Sequence, residues 1–188
     1  MPPKPKYTKE EIVDAAIELV RSQGVEALTA RELGQFLGTS SRPIFTAFEN
    51  MVDLKNNVVK KCITIFEERC KKEMSTGDFP QYKSIGNAYI KFSIEECNLF
   101  KLLFMRDRSD ELQYGYDAFD IPLMSAMKQS GVEEYVAELL HTEMWIWVHG
   151  VATMLATGYI DWNGELISVM MTDVFTALKW RHTDGNDN

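Results

Sequence analysis

The chain has 188 residues, 45% hydrophobic and 26% charged, with a formal net charge of −8. That composition is ordinary for a globular protein, and the length allows one large domain or one domain with a small module. Three cysteines (Cys62, Cys70, Cys97), odd in number and without CxxC spacing, argue against a disulfide framework or zinc site and suit a reducing, cytoplasmic setting.

The start, Met-Pro-Pro-Lys-Pro-Lys, lacks the apolar run of a signal peptide. A first helix is expected over Thr8 to Arg21. Thr8 caps it, Glu10 and Glu11 occupy its first turn, and Gly24 ends it. Ile12, Ala15, Ala16, Leu19 and Val20 follow the i, i+3, i+4 pattern of one buried face. Thr29, with Glu32 three residues on, predicts a capping box, and Leu28 and Leu33 have the spacing of a hydrophobic staple. Ala30, Leu33 and Leu37 give an apolar stripe that Gly38 terminates in the left-handed conformation. Ser40 is the expected cap of the next helix, whose first turn holds Pro43 and whose buried side holds Ile44, Phe45 and Phe48. Two short helices joined by a glycine turn read as a helix-turn-helix, the device that places a helix in the DNA major groove.

Asn50 then caps a long helix to about Met74, with Leu54, Val58, Cys62, Ile65 and Phe66 inward, until Ser75-Thr76-Gly77-Asp78 breaks it. Helical pattern returns from Pro80 to Met105, with Ile85, Ala88, Tyr89 and Phe92 on one face and a break near Asn98. Arg106 to Tyr116 reads as a charged loop and Ile121 to Lys128 as a short helix ended by Gly131. Two more helices are expected over Glu133 to Thr157 and Gly164 to Trp180. No segment alternates like a strand, so the fold class is all-α with about nine helices. Met144 to Ile160 carries no formal charge, but it falls short of a bilayer span and reads as a buried core helix.

The charge is divided unevenly. Residues 1–60 hold eight Lys/Arg and eight Asp/Glu, while the remaining 128 residues hold 12 and 20. Lys4, Lys6 and Lys9 form a basic arm before the first helix. A neutral module of this kind is expected to have modest non-specific affinity and to rely on placed contacts.

The first 60 residues resemble the TetR family of one-component transcriptional regulators. The resemblance runs through Ile12-Val13-Asp14-Ala15-Ala16, Gly24, Leu28-Thr29-Ala30-Arg31-Glu32-Leu33, Gly38, Ser40, Ile44-Phe45 with Phe48, and Leu54. Trp147-Val148-His149-Gly150 is similar to the Trp-x-His-Gly signature of one ligand-domain subgroup of that family. The resemblance implies a helix-turn-helix domain over 1–50 (reaching about 60 in family style) and a ligand-binding and dimerisation domain over 51–188. It implies a cytoplasmic homodimer whose helices at 133–157 and 164–180 form a four-helix bundle between subunits. Its DNA partner is a double-stranded, palindromic operator, and membrane is no partner. Carried over by position, the base-facing residues are Arg31, Ser41, Arg42, Pro43 and Thr46, with Arg42 suited to both acceptors of a guanine edge. Thr29 and Ser40 are the phosphate clamps. The chain departs from the family at Phe45, Ala47 and Met51, where tyrosine, histidine and lysine are usual. Phe45 keeps its place in the DNA-binding set, Lys55, one turn beyond Met51, can replace the lysine, and the losses imply either a shallow salt dependence or extra help from Lys4, Lys6 and Lys9.

Ten methionines and an aromatic cluster point to an adaptable ligand cavity. Tyr89, Phe92, Phe104, Met105, Trp145, His149 and Met154 form the candidate ligand set, with Phe100, Tyr114, Tyr116 and Trp147 around them. Singly each suits a core. His149 is either a satisfied core histidine or the polar handle of an apolar cavity. His141 and His149 stand about 12 Å apart along a helix, too far to share one metal ion. No phosphate loop or nucleophile elbow occurs, so neither an enzyme nor a cofactor is expected. The expected function is repression relieved by a small hydrophobic or aromatic effector. The alternatives are the same fold answering to a protein partner or to nothing, and a helical carrier or enzyme with a structural N-terminal module.

Overall fold

The computed structural model describes residues 6–106, 132–183 and 185. Among them are eight α-helices and one 3₁₀ turn, with no strand. The helices are α1 (Lys9–Gln23), α2 (Ala30–Phe36), α3 (Arg42–Ala47), α4 (Met51–Ser75), α5 (Gln81–Glu95), α6 (Cys97–Phe104), α7 (Glu134–Ala156) and α8 (Gly164–Thr183). The 3₁₀ turn, Val25–Ala27, lies between α1 and α2. The helix expected at 121–128 and the loop expected after Arg106 lie outside the described residues.

The chain forms two compact units. One comprises Met1–Arg69 with Glu95–Arg106, the other Cys70–Ile94 with Asp107–Asn188. The first unit therefore takes in α6, which a division at residue 50 leaves with the rest of the chain.

In the first unit, Thr8 and Glu11 make both bonds of a capping box, and Gly24 ends α1 at φ 84°. α1 is buried on more than the expected face, because Val13 and Ile17 join Ile12, Ala16, Leu19 and Val20 in the interior. The reason is that α1 packs against both α2 and α6. α6 supplies Leu99, Phe100, Leu102 and Leu103 to this core. From α4, Leu54, Val58, Cys62 and Phe66 lie at i, i+4 spacing and are all buried. The break before α6 falls at Glu96, two residues ahead of its expected place. Glu96 accepts from Arg21 Nε at 2.9 Å and Arg69 Nη2 at 3.3 Å. Asn98 is used otherwise: its amide donates to the Arg21 carbonyl at 2.9 Å.

Burial, with Glu96 adding to it, pushes the Cys62 thiol up to about 12. The thiolate is the reactive form, so Cys62 should resist a thiol reagent in the folded chain and react only after unfolding. Labelling at native and denaturing urea concentrations, read by peptide mass, checks this. Rapid native labelling at Cys62 would contradict it.

In the second unit, α7 and α8 pack together. Ala137 and Leu140 are wholly buried there, with Tyr82, Val136, Phe175 and Leu178 against them. Buried hydroxyls find local acceptors: Ser84 donates to the Phe79 carbonyl at 3.2 Å and Ser93 to the Ile90 carbonyl at 2.8 Å. Ile146, Val169 and Trp180 stay more than half exposed on α7 and α8. No helix among the described residues is long and apolar enough to cross a membrane.

Candidate functional site

Two places carry candidate functional residues, one in each unit. The first is the α2–α3 pair. Thr29 Oγ accepts from the Glu32 amide at 3.2 Å, which is half of the expected capping box. The reciprocal half is not needed, because the Thr29 amide already donates to the Ala27 carbonyl of the 3₁₀ turn at 2.7 Å. At the other end of α2, Gly38 sits at φ 65°. Thr39 N donates to Gly34 O at 2.8 Å and Gly38 N to Gln35 O at 3.0 Å, the two bonds of a Schellman stop. The cap of α3 lies one residue later than expected, at Ser41, whose side chain makes no capping bond. Ser40 Oγ still accepts the Arg42 amide, at a long 3.4 Å.

Gly34 sets the spacing of the pair. A Cβ there would stand 2.9 Å from the Ser40 carbonyl carbon and 3.0 Å from Ser41 N, so the turn backbone lies directly on α2. Composition alone gave a hint of this, since a glycine inside a helix weakens it unless something approaches closely.

The inner side of α3 is Ile44, wholly buried, with Phe48 at 2% exposure just beyond the helix. Phe45 does not share that side, contrary to the helical-spacing expectation, and is 50% exposed. The helix is only six residues long, and i, i+3, i+4 spacing puts Phe45 with Arg42 and Thr46 on the outer face, all three exposed. Thr46 Oγ1 donates to the Arg42 carbonyl at 3.0 Å, leaving its oxygen free to accept.

The basic arm meets this face. Tyr7 OH donates to the Leu37 carbonyl at 2.7 Å, which ties the arm to the end of α2. Lys9 Nζ lies 5.2 Å from the Phe48 ring centroid and Lys6 Nζ 5.4 Å from that of Tyr7. A groove of about 660 Å³ is lined by Lys6, Lys9, Ser40, Arg42, Pro43 and Thr46. The fold thus gathers six of the sequence-expected residues. Phe45 shares the outer face of α3 without lining the groove, Thr29, Arg31 and Lys55 are exposed elsewhere on the unit, Ser41 is half-buried, and Lys4 lies outside the described residues. Tyr7 is a contributor that no local pattern announces, because its partner is thirty residues away.

Charge pairing separates the arginines. Arg21 and Arg69 are bound to Glu18, Glu95 and Glu96. Arg31, Arg42 and Lys55 make no ion pair among the described residues.

The second place is a cavity of about 340 Å³ on α5, α7 and α8. Its walls include Tyr82 and Tyr89 from α5, Met144 and Trp145 from α7, and Met171 and Phe175 from α8. Tyr89 OH is 2.8 Å from His149 Nδ1, and the His149 ring stacks on Trp145 with centroids 5.2 Å apart at 9°. Tyr82 OH is 3.3 Å from His141 Nδ1. Of the candidate ligand set, Tyr89 and Trp145 line the cavity, and His149 contacts both without being part of the lining. The others do not line it. Phe92 is fully buried and Met154 half-buried, neither lining the cavity. Phe104 belongs to the first unit, its ring 5.6 Å from Phe66 and 5.2 Å from Phe100, and Met105 is exposed at the end of α6. Tyr114 and Tyr116 lie outside the described residues. Tyr82, Lys83 and Phe175 line the cavity without having been picked out from sequence. Among the described residues, no group of three or more His, Cys, Asp or Glu is placed to hold a metal ion.

Burial pushes the His149 imidazole below its ordinary 6.5. Just below that pH the folded chain holds fewer protons than the unfolded one. Stability is then lost as pH falls from 6.5 towards the lowered native value, and the loss is complete beneath it. Urea unfolding on either side of that window should show the wild type losing more stability than His149→Gln. Equal losses would refute the assignment.

No family model and no curated protein matches the chain. Among solved structures it is similar to a TetR-like transcriptional regulator from Rhodococcus sp. RHA1, with a TM-score of 0.68 at 16% identity. The likeness covers 95% of this chain and 97% of that one. The chain has the all-helical fold of a TetR-like transcriptional regulator.

Proposed function

We propose that the chain is a DNA-binding transcriptional regulator, a repressor that leaves a palindromic operator when a small hydrophobic or aromatic ligand enters its core. The observation that carries this reading is the outer face of α3. There Arg42 stands exposed without a carboxylate partner among the described residues, in one groove with Lys6 and Lys9. An unpaired guanidinium on a short helix held from behind by Ile44 and Phe48 suits bidentate reading of guanine. Lys6 and Lys9 then serve phosphates, which fix register without reading sequence.

A second copy of the chain completes the reading. Exposed Ile146, Val169 and Trp180 are large apolar side chains that a homodimer would cover. Two-fold symmetry then predicts half-sites about one helical turn apart or slightly more. The ligand can shift the equilibrium only by as much as it prefers the DNA-released geometry. The 340 Å³ cavity is at the lower end of the roughly 300–1,000 Å³ typical of small-molecule sites.

The test is selection of bound sequences from a random DNA pool with the full chain. A palindromic consensus is the expected result. Enrichment of nothing above background would refute DNA reading and favour a carrier with a structural N-terminal module.

A further inference from the structure

We infer that the cavity on α5, α7 and α8 takes a planar aromatic anion, an aromatic carboxylate or phenolate, with its ring among the wall side chains and its charge at Lys83. The inference rests on reading this cavity as a small-molecule site and adds the chemistry of the occupant.

Six aromatic rings line the space: Phe79, Tyr82, Tyr89, His141, Trp145 and Phe175. Tyr82 and Phe175 are tilted at 40° with centroids 5.8 Å apart, an arrangement that accepts a further ring edge-on or offset. The wall hydroxyls are already committed, Tyr82 to His141 and Tyr89 to His149. What remains to orient a ligand is charge. Lys83 is the one lysine, arginine or carboxylate among the residues that line the cavity.

Lys83 brings its charge to an otherwise mostly apolar and aromatic lining. Its ammonium donates to Thr172 Oγ1 at 2.8 Å and lies 4.4 Å from the Phe79 ring centroid. It makes no ion pair among the described residues. Lys91, two turns along the same helix, has its charge matched instead, with both Glu73 oxygens at 2.7 and 2.8 Å. An ammonium has three donors, and one neutral acceptor leaves two for an arriving anion. A charge-assisted hydrogen bond at the edge of an apolar chamber is about twice as strong as a neutral one. A cationic ligand meets repulsion there, and a neutral aromatic leaves the ammonium unmatched. A short aliphatic acid satisfies the charge but not the ring wall.

Calorimetric titration of the full chain with 2-naphthoate, 2-naphthamide and octanoate tests the inference, on wild type and on Lys83→Met, which keeps the aliphatic stem. Naphthoate should bind the wild type at least about tenfold more tightly than either other probe, the size of one charge-assisted bond. Lys83→Met should lose the preference for acid over amide and keep its naphthamide affinity. Should Lys83→Met fail to fold by circular dichroism, Lys83→Gln makes the same comparison. Equal affinity for naphthoate and naphthamide, or a preference that survives both substitutions, overturns the anion assignment and leaves the cavity a small-molecule site. Octanoate matching naphthoate overturns the aromatic part. Binding of none of the three to wild type overturns the small-molecule reading itself.

Discussion

Arg42→Ala should weaken binding to the selected operator by roughly 2–6 kcal/mol, because the proposed two-fold dimer would lose about 1–3 kcal/mol of guanine contact in each half-site. The loss should be concentrated at one base pair of the half-site. An operator changed at that position should bind wild type and variant alike. The folded state should not notice, since Arg42 is exposed and makes no ion pair among the described residues. Unchanged urea unfolding beside collapsed binding is therefore the expected pair of results. Lys9→Ala is the useful contrast: a phosphate contact lowers affinity across all sequences alike and reduces the salt slope by about one per half-site. Arg42→Ala binding the operator as well as wild type would remove the ground for placing α3 in the major groove.

Gly34→Ala should destabilise the fold, against the helix propensity that favours alanine over glycine by about 1 kcal/mol. The new methyl would stand 2.9–3.0 Å from the backbone of Ser40 and Ser41. Backbone cannot swing aside as a long side chain can, and overpacking of this kind costs typically about 1–3 kcal/mol, occasionally more. Relief requires α3 to move off α2, so operator binding should fall further than stability does. Gly38 isolates the cause. Its φ is 65°, yet nothing lies within 4 Å of an added Cβ, so conformation alone matters there. Gly38→Asn should be nearly neutral, because asparagine tolerates the left-handed region. Gly34→Asn should be worse than Gly34→Ala. Chemical denaturation of these three variants decides the matter, and a stabilised Gly34→Ala would refute the close-approach account.

Local chemistry carried much of the fold. The cap at Thr8, the stop at Gly38, the cap at Asn50 and the apolar stripe of α4 follow from neighbours in the chain, and all are present, whereas the box expected at Thr29 and Glu32 forms only by half. Asn50 Oδ1 accepts from the amides of Val52 at 2.8 Å and Asp53 at 2.9 Å, a bond set fixed within three residues. Phe45 marks where such reasoning ends. In a helix of six residues the phase of the buried face is set by which side meets α2, and short-range periodicity cannot fix it.

Sequence by itself determined the described helices, most of their caps and the order of a helix-turn-helix followed by a longer helical region, because hydrogen bonds and apolar spacing within a few residues decide those. Only tertiary structure decided the sites. Tyr7 meets Leu37, Gly34 meets Ser40, and Lys83 meets Thr172 across 89 residues of chain. Tertiary structure also split the aromatic cluster, sending Phe104 to the core of one unit and Trp145 to a cavity in the other. The reason is that aromatic and methionine side chains fill any apolar space equally well, so their positions in the chain say that a core exists but not which core each residue joins.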